Sequence, residues 1–323
     1  MNNLPSHVVL QVCLATLAFD NMAVHAQTYP VKSIRIITIE AGGGNDLLAR
    51  LMAQGIATPM GQPLIVENRG GAGGSIAAEQ VARATPDGYT LLVYTGGLWI
   101  LPMLQSASYD PLKDFSPVTL LARSPNIVVV HTSLPVKSIR ELIALAKARP
   151  GQLNYASAGI GGSTHLAAEL FKSMADVKIE RITYKGTAPA QNDLIGGQVQ
   201  LMFSTAASVA PHIKSGRLRP LAVTSAKPSP LVPSLPTVAA SGLPGYESDV
   251  VYGVWAPAKT PAVVVHRLNQ EITSLLHKPE TIDRLAGVSL EAAPTTPDEF
   301  AAAIKSDITR MGKVIKSAGI RGD

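Results

Sequence analysis

Apolar residues in this chain fall into two rhythms that alternate: short unbroken runs, and runs that recur at helical spacing. The first pairing sets the pattern. Ile34-Arg-Ile-Ile-Thr-Ile39 is an apolar run, and it ends in Glu40-Ala41-Gly42-Gly43-Gly44-Asn45-Asp46. Leu47, Leu48, Leu51 and Met52 then take up the helical period, so the stretch predicts strand, tight turn and helix. The same order returns with a strand over 64–67, a glycine-rich turn over 68–75 and a helix over 76–84. Thr85-Pro-Asp-Gly88 is a turn, and 89–94 is a third strand running into Thr95-Gly96-Gly97. Strand-turn-helix units in succession imply a parallel sheet with right-handed crossovers, whose ligands sit beyond the carboxyl ends of the strands.

The second half repeats the plan. Residues 109–117 read as a turn-rich connector and 127–130 as a short buried strand, near which the chain crosses into a second domain. Ser138 and Glu141 have the spacing of a capping box for a helix to Ala148. A strand over 153–157, a glycine turn over 158–164 and a helix over 165–172 mirror the opening stretch. A strand over 179–184 leads through Lys185-Gly186-Thr187 into a helix that holds Asp193 and stops at Gly196-Gly197. A strand over 199–203 ends in Ser204-Thr205, and one over 218–223 returns the chain to the first domain. Residues 227–244 read as irregular, 252–256 as a strand, and 263–277 and 297–316 as helices. The expected fold is α/β with two domains, each a mainly parallel sheet flanked by helices: 27–126 with 225–323, and 127–224.

Composition supports a large core. Hydrophobic residues make up 46% of 323 and charged residues 16%, which excludes a disordered chain. The net charge of +5 is scattered and aromatics are only 5%, so no nucleic-acid surface is expected. The apolar run over 8–19 and the small residues of Ala23-Val-His-Ala26 predict a secretory signal over 1–26. Val12 before Cys13 does not fit a lipid anchor, and no later run spans a bilayer, so a soluble periplasmic protein is expected. Cys13, the one cysteine, falls inside the signal, leaving no thiol for a disulfide, nucleophile or metal.

No metal-ligand spacing, P-loop, dinucleotide fingerprint or nucleophile elbow occurs, so neither metal nor cofactor is expected. Ser163, His165 and Asp193 can be drawn as a hydrolase triad, but Ser163 reads more simply as a helix N-cap. What remains is a set of hydrogen-bonding loops at strand ends. Gly42, Gly43, Gly44, Asn45 and Asp46 stand in one half, and Ser157, Gly161, Ser163, Thr164, Lys185, Gly186, Thr187, Asp193 and Ser204 in the other. Backbone N–H groups and hydroxyls satisfy a carboxylate without a buried countercharge. Asp46 also reads as an N-cap, Asp193 as a helix-surface residue, and Trp99 and Trp255 as core or cleft-rim residues.

An ordered set of motifs carries a resemblance. It includes Gly42-Gly43-x-x-Asp46-x-x-Ala49-Arg50, Asn68-x-x-Gly71-Ala72-Gly73-Gly74 and Pro86-Asp87-Gly88-Tyr89-Thr90. Tyr155-Ala156-Ser157-x-Gly159-x-Gly161-x-Ser163-x-His165-Leu166, Tyr184-Lys185-Gly186 and Asp193-Leu194-x-Gly196-Gly197-Gln198-Val199 follow. Across the whole mature chain the sequence resembles the periplasmic receptors of tripartite tricarboxylate transporters, the Bug (Bordetella uptake gene) receptors. The resemblance implies a type II Venus-flytrap binding protein, not an enzyme, whose loops at 42–46 and 157–164 close on a small carboxylate. It also implies delivery of that solute to membrane permease subunits, and makes Asp193 a cleft residue; a monomer is expected. Ile39 and Glu40 replace the aromatic and the apolar residue or proline usual before the glycines, so a monocarboxylate, or a ligand with an amine or amide, is expected. The alternatives are a sensor that presents its ligand to a membrane kinase and a secreted hydrolase.

Overall fold

A computed structural model describes residues 29–39, 41–42, 44–157, 162–184 and 187–321. The predicted signal over 1–26, Glu40, Gly43, Gly161, Lys185 and Gly186 lie outside the described residues.

The first half contains β1 (Ile34–Thr38), α1 (Gly44–Met60), β2 (Leu64–Asn68), α2 (Ser75–Ala82), β3 (Thr90–Thr95) and α3 (Gly97–Leu104). A long strand, β4 (Phe115–His131), leads to α4 (Ile139–Ala148), β5 (Asn154–Ser157), α5 (Ser163–Ala175), β6 (Glu180–Thr183) and α6 (Thr187–Ile195). Then come β7 (Leu201–Thr205), α7 (Ala206–Lys214), β8 (Leu218–Val223) and β9 (Asp249–Pro257). The chain closes with α8 (Ala262–Leu276), α9 (Pro279–Ala286), β10 (Glu291–Ala292) and α10 (Pro297–Ser317).

β1 lies between β2 and β3, parallel to both, as the strand-turn-helix repeat implies. β5 likewise lies parallel between β6 and β7. The sheet is nevertheless mixed, because β9 runs antiparallel to β3 and to β4. β4 is the shared member. Its residues 115–125 pair with β9, and 126–131 pair with β7 and β8.

The expected connector over 109–117 therefore runs directly into a strand, and the short strand expected over 127–130 is the far end of that same strand. Pro117 and Pro125 make the sequence read as broken, since proline cannot donate to a ladder. The structure absorbs Pro117 in a register shift between Pro117 and Thr119, a bulge that lets the strand continue. α3, α7 and α9 were not predicted. α3 is apolar all round and holds Pro102, so no amphipathic period marks it.

α10 ties the halves together by touching β4, α3 and α5. It begins as the sequence dictates: Glu299 N donates to Thr296 Oγ1 at 3.2 Å, and Thr296 N donates to Glu299 Oε2 at 2.8 Å. That capping box holds the first turn, a device of about 1 kcal/mol. Phe300, Ile304, Met311, Val314 and Ile315 then bury one face of the helix. Phe300 packs on Trp255, with ring centroids 5.0 Å apart, at the centre of the larger core. Among the described residues no helix is long and apolar enough to cross a membrane.

Candidate functional site

The loop after β1 is held by its own side chains. α1 starts at Gly44, so Asp46 sits in the first turn and is not the N-cap. Its carboxylate reaches back to accept the Gly42 N–H at 3.0 Å. Gly42 has φ +82°, a conformation that favours glycine. Arg50 Nε donates to the same Asp46 oxygen at 3.1 Å, and Asn68 Nδ2 donates to the other at 2.9 Å. Asn68 Nδ2 also donates to the Ile39 carbonyl at 2.9 Å, which clamps the end of β1. The Arg50 guanidinium, aided by Gly42 N–H and Asn68, holds the Asp46 carboxyl down at about 2 despite its burial. Gly42 N–H and the Asp46 carboxylate are thus committed to the loop.

Gly44 has a different constraint. A Cβ placed there would stand 2.8 Å from Tyr252 Oη. Tyr252 is the register partner of Thr95, so the first loop rests on the strands that floor the cleft. Asn45 is buried, and its Oδ1 has no hydrogen-bond partner among the described residues.

The second half brings its own strand ends. Ser157 closes β5 and is fully buried. Gly162 is the N-cap of α5, so Ser163 is the first helical residue and not the cap expected from the sequence. Thr164 follows it in the first turn, and Thr187 opens α6 at the surface. Ser204, fully buried at the end of β7, shares a 2.8 Å hydrogen bond with Ser208. The Asp193 carboxylate accepts from Tyr184 Oη at 2.8 Å. Burial, then that carboxylate, pushes the Tyr184 hydroxyl up to about 12.

A cavity of about 260 Å³ opens between the two sets of strand ends. Thr95, Gly96 and Gly97, at the start of α3, wall one side, and Gly162 and Ser163, at the start of α5, wall the other. Two helix N-termini thus border one space, and their dipoles favour negative charge there, although at α3 the Gly97 N–H donates to Thr95 Oγ1 at 3.2 Å and the Trp99 and Ile100 N–H groups donate to the Gly96 carbonyl, both at 3.2 Å. Trp99, Ile100, Leu166, Val250, Val251 and Met311 supply apolar walls, and Asp249 and Asp307 are its acids. Of the residues singled out from the sequence, Ser163 lines this cavity. Gly42, Gly44, Asn45, Asp46, Ser157, Thr164, Thr187, Asp193 and Ser204 are outside its described walls. Thr95-Gly96-Gly97 was recognisable as a glycine turn at a strand end. Asp249 was not, because β9 begins three residues before the expected strand.

The two acids differ. Asp307 accepts from Trp99 Nε1 at 2.7 Å and from Arg310 at 2.6 Å. The one hydroxyl near Asp249 among the described residues is Thr224 Oγ1 at 3.4 Å, and its single proton is shared with the Asn126 carbonyl at 3.1 Å. Burial pushes its carboxyl up to about 7, with Glu247 and Glu291 adding to the rise and Arg123 opposing it. The triad that could be drawn from the sequence is not assembled. Ser163 faces the cleft cavity, whereas His165 lines a separate cavity with Glu169, Lys172 and Arg181. Burial and the nearby Arg181 lower His165 to about 4.

Known proteins resemble this chain over most of its length. Residues 48–320 match the tripartite tricarboxylate transporter family receptor. Protein BugT of Bordetella pertussis is 34% identical over 302 residues, covering 92% of this chain and 93% of that protein. A solved R. palustris structure with adipate is 38% identical, with a TM-score of 0.72, covering 91% of this chain and 99% of the other. The periplasmic binding protein BugD is 34% identical, with a TM-score of 0.69, covering 91% of this chain and all of its own.

Proposed function

The chain belongs to the tripartite tricarboxylate transporter receptor family, and from that premise we propose that it captures a small carboxylate in its cleft and delivers it to the permease subunits of such a transporter. One observation carries the reading: the N-termini of α3 and α5, from opposite halves of the chain, border one cavity of about 260 Å³. Neither half closes that space alone. A carboxylate there would sit at the positive ends of both helices and lay its carbon chain against Trp99, Leu166 and Met311. The adipate in the R. palustris relative is a ligand of that chemistry.

The moving parts in this reading are residues 27–126 with 225–323, and 127–224. The change of partners along β4, from β9 to β7 and β8, supports that division. The loops holding Gly42 to Asp46, and Ser157, Ser163, Thr164, Thr187, Asp193 and Ser204, would close over the solute, with the first loop kept rigid by Asp46. Export to the periplasm, with cleavage after Ala26, and function as a monomer complete the proposal; the family's periplasmic setting supports the export.

The test is a thermal-shift panel of small carboxylates on the mature protein, followed by calorimetry on each hit. A ligand at a hundred times its Kd adds about 2.7 kcal/mol and raises Tm visibly. Binding of one carboxylate at one site per chain is expected, weakened by Ser163→Trp, which would fill the cavity. A panel in which no carboxylate binds overturns the receptor reading.

A further inference from the structure

The cleft is lined by two acids as well as by two helix N-termini. Asp249 and Asp307 both line it, and behind them Glu247, Arg123 and Arg310 complete a charged cluster between β4, β9 and α10. The two guanidiniums are already engaged: Arg310 with Asp307 at 2.6 Å and Glu247 at 3.3 Å, and Arg123 with Glu247 at 3.4 Å. Asp249 is left with the distant Thr224 hydroxyl.

We infer that Asp249 determines specificity, selecting a carboxylate whose far end carries an ammonium group over a dicarboxylate of the same length. The inference rests on the reading of the cleft as a carboxylate site. One end of the ligand meets the two helix N-termini, which attract an anion. The other meets Asp249, to which no guanidinium is hydrogen-bonded among the described residues and on which Arg123 acts only at a distance, so that it repels a second anion and pairs with a cation. The apolar walls of the same cavity, Leu166, Val251 and Met311, suit a methylene chain. The preference expected from Glu40 in the sequence thus has a second, independent source on the floor of the cleft.

The protonation state of Asp249 gives a readout that needs no variant. The charged groups around it are Glu247 and Arg123 beside it, Glu291 from β10, and Asp307 and Arg310 from α10. Deprotonated Asp249 opposes a second carboxylate; protonated Asp249 can donate to one. Dicarboxylate affinity therefore rises as pH falls past about 7, the value to which burial raises this carboxyl.

The experiment is calorimetry with matched pairs of ω-amino carboxylates and dicarboxylates of roughly four to eight carbons, such as 6-aminohexanoate and adipate. It uses the mature wild-type protein and Asp249→Asn at about pH 8, and repeats the wild type at about pH 6. The wild type should favour the amino member of its best pair by about tenfold or more, and Asp249→Asn should erase or reverse that ratio. Wild-type affinity for the dicarboxylate should rise several-fold at the lower pH, a result that stands even if the variant does not fold. A dicarboxylate preferred at about pH 8, or a ratio unchanged in Asp249→Asn, overturns the assignment and leaves the receptor reading intact. Absence of any carboxylate binding overturns both.

Discussion

Asp46 and Asn68 hold the first cleft loop from opposite sides: Asn68 Nδ2 donates to the Asp46 carboxylate and to the Ile39 carbonyl, both at 2.9 Å. A side chain after β2 thereby fixes the turn after β1. The pair explains how a stretch so rich in glycine can present a defined surface to a ligand. Its rigidity comes from an ionic network around the buried Asp46 carboxylate, not from the turn residues alone.

Asp46→Asn should test that network. The carboxyl lies at about 2 in the folded chain against 3.8 as its ordinary value, so its contribution is fully present above about 3.8 and lost as pH falls through about 2. The Asn variant should lose about 1–2 kcal/mol at neutral pH, discounted for the half-exposed Arg50. It should also lack this part of the acid-side decline in urea midpoints. Equal midpoints for both proteins at pH 7 would show that the carboxylate is not what holds the loop.

Gly44→Ala should weaken the site through contact, not charge. The new methyl would meet Tyr252 Oη at 2.8 Å and Cε1 at 3.0 Å. An unrelieved overlap of this kind costs about 1–3 kcal/mol. Tyr252→Phe removes the oxygen but leaves the ring, so it should rescue little; Tyr252→Val should restore Tm and ligand affinity in the double variant. A Gly44→Ala protein with wild-type Tm and Kd would count against the contact.

Much of this arrangement could be read from the residues. The alternation of apolar runs and glycine turns gave β1, β2 and β3 as parallel neighbours, because each signal is local. The same locality hid the full length of β4 and its pairing with β9. Their antiparallel pairing joins residue 115 to 257 and 125 to 249, and nothing within a window of ten residues records it. The candidate site was legible as strand-end loops for the same reason. The acids Asp249 and Asp307 were not: one precedes the expected strand and the other sits on a long amphipathic helix, where a carboxylate normally faces water. Only their convergence beside Trp99 gives them meaning.

Where β4 changes partners, Thr224 is the joint. Its hydroxyl accepts the Asn126 N–H at 2.8 Å and donates to the Asn126 carbonyl at 3.1 Å, all fully buried. Thr224→Val keeps the shape and strands that N–H, so a loss of about 1–3 kcal/mol is expected from urea unfolding. Thr224→Ser, which retains the hydroxyl, should lose clearly less. Equal losses would assign the effect to packing.

Asp249 and His165 should oppose each other across mildly acidic pH. Asp249 is raised from 3.8 to about 7, so its contribution is fully present below 3.8 and disappears as pH rises through about 7. His165 is lowered from 6.5 to about 4, so its contribution is present above 6.5 and lost as pH falls through about 4. Between about pH 4 and 6.5 one term therefore falls with rising pH while the other grows. Relative to the wild type, the stability of Asp249→Asn should climb more steeply with pH across that window, by about 1–3 kcal/mol in total. His165→Asn should tilt the curve the other way. Chemical unfolding at several pH values, without ligand, measures both slopes. Variants that shift the curve up or down without changing its slope would mean that neither group titrates differently in the folded chain, and the buried charge logic of the cleft floor would have to be abandoned.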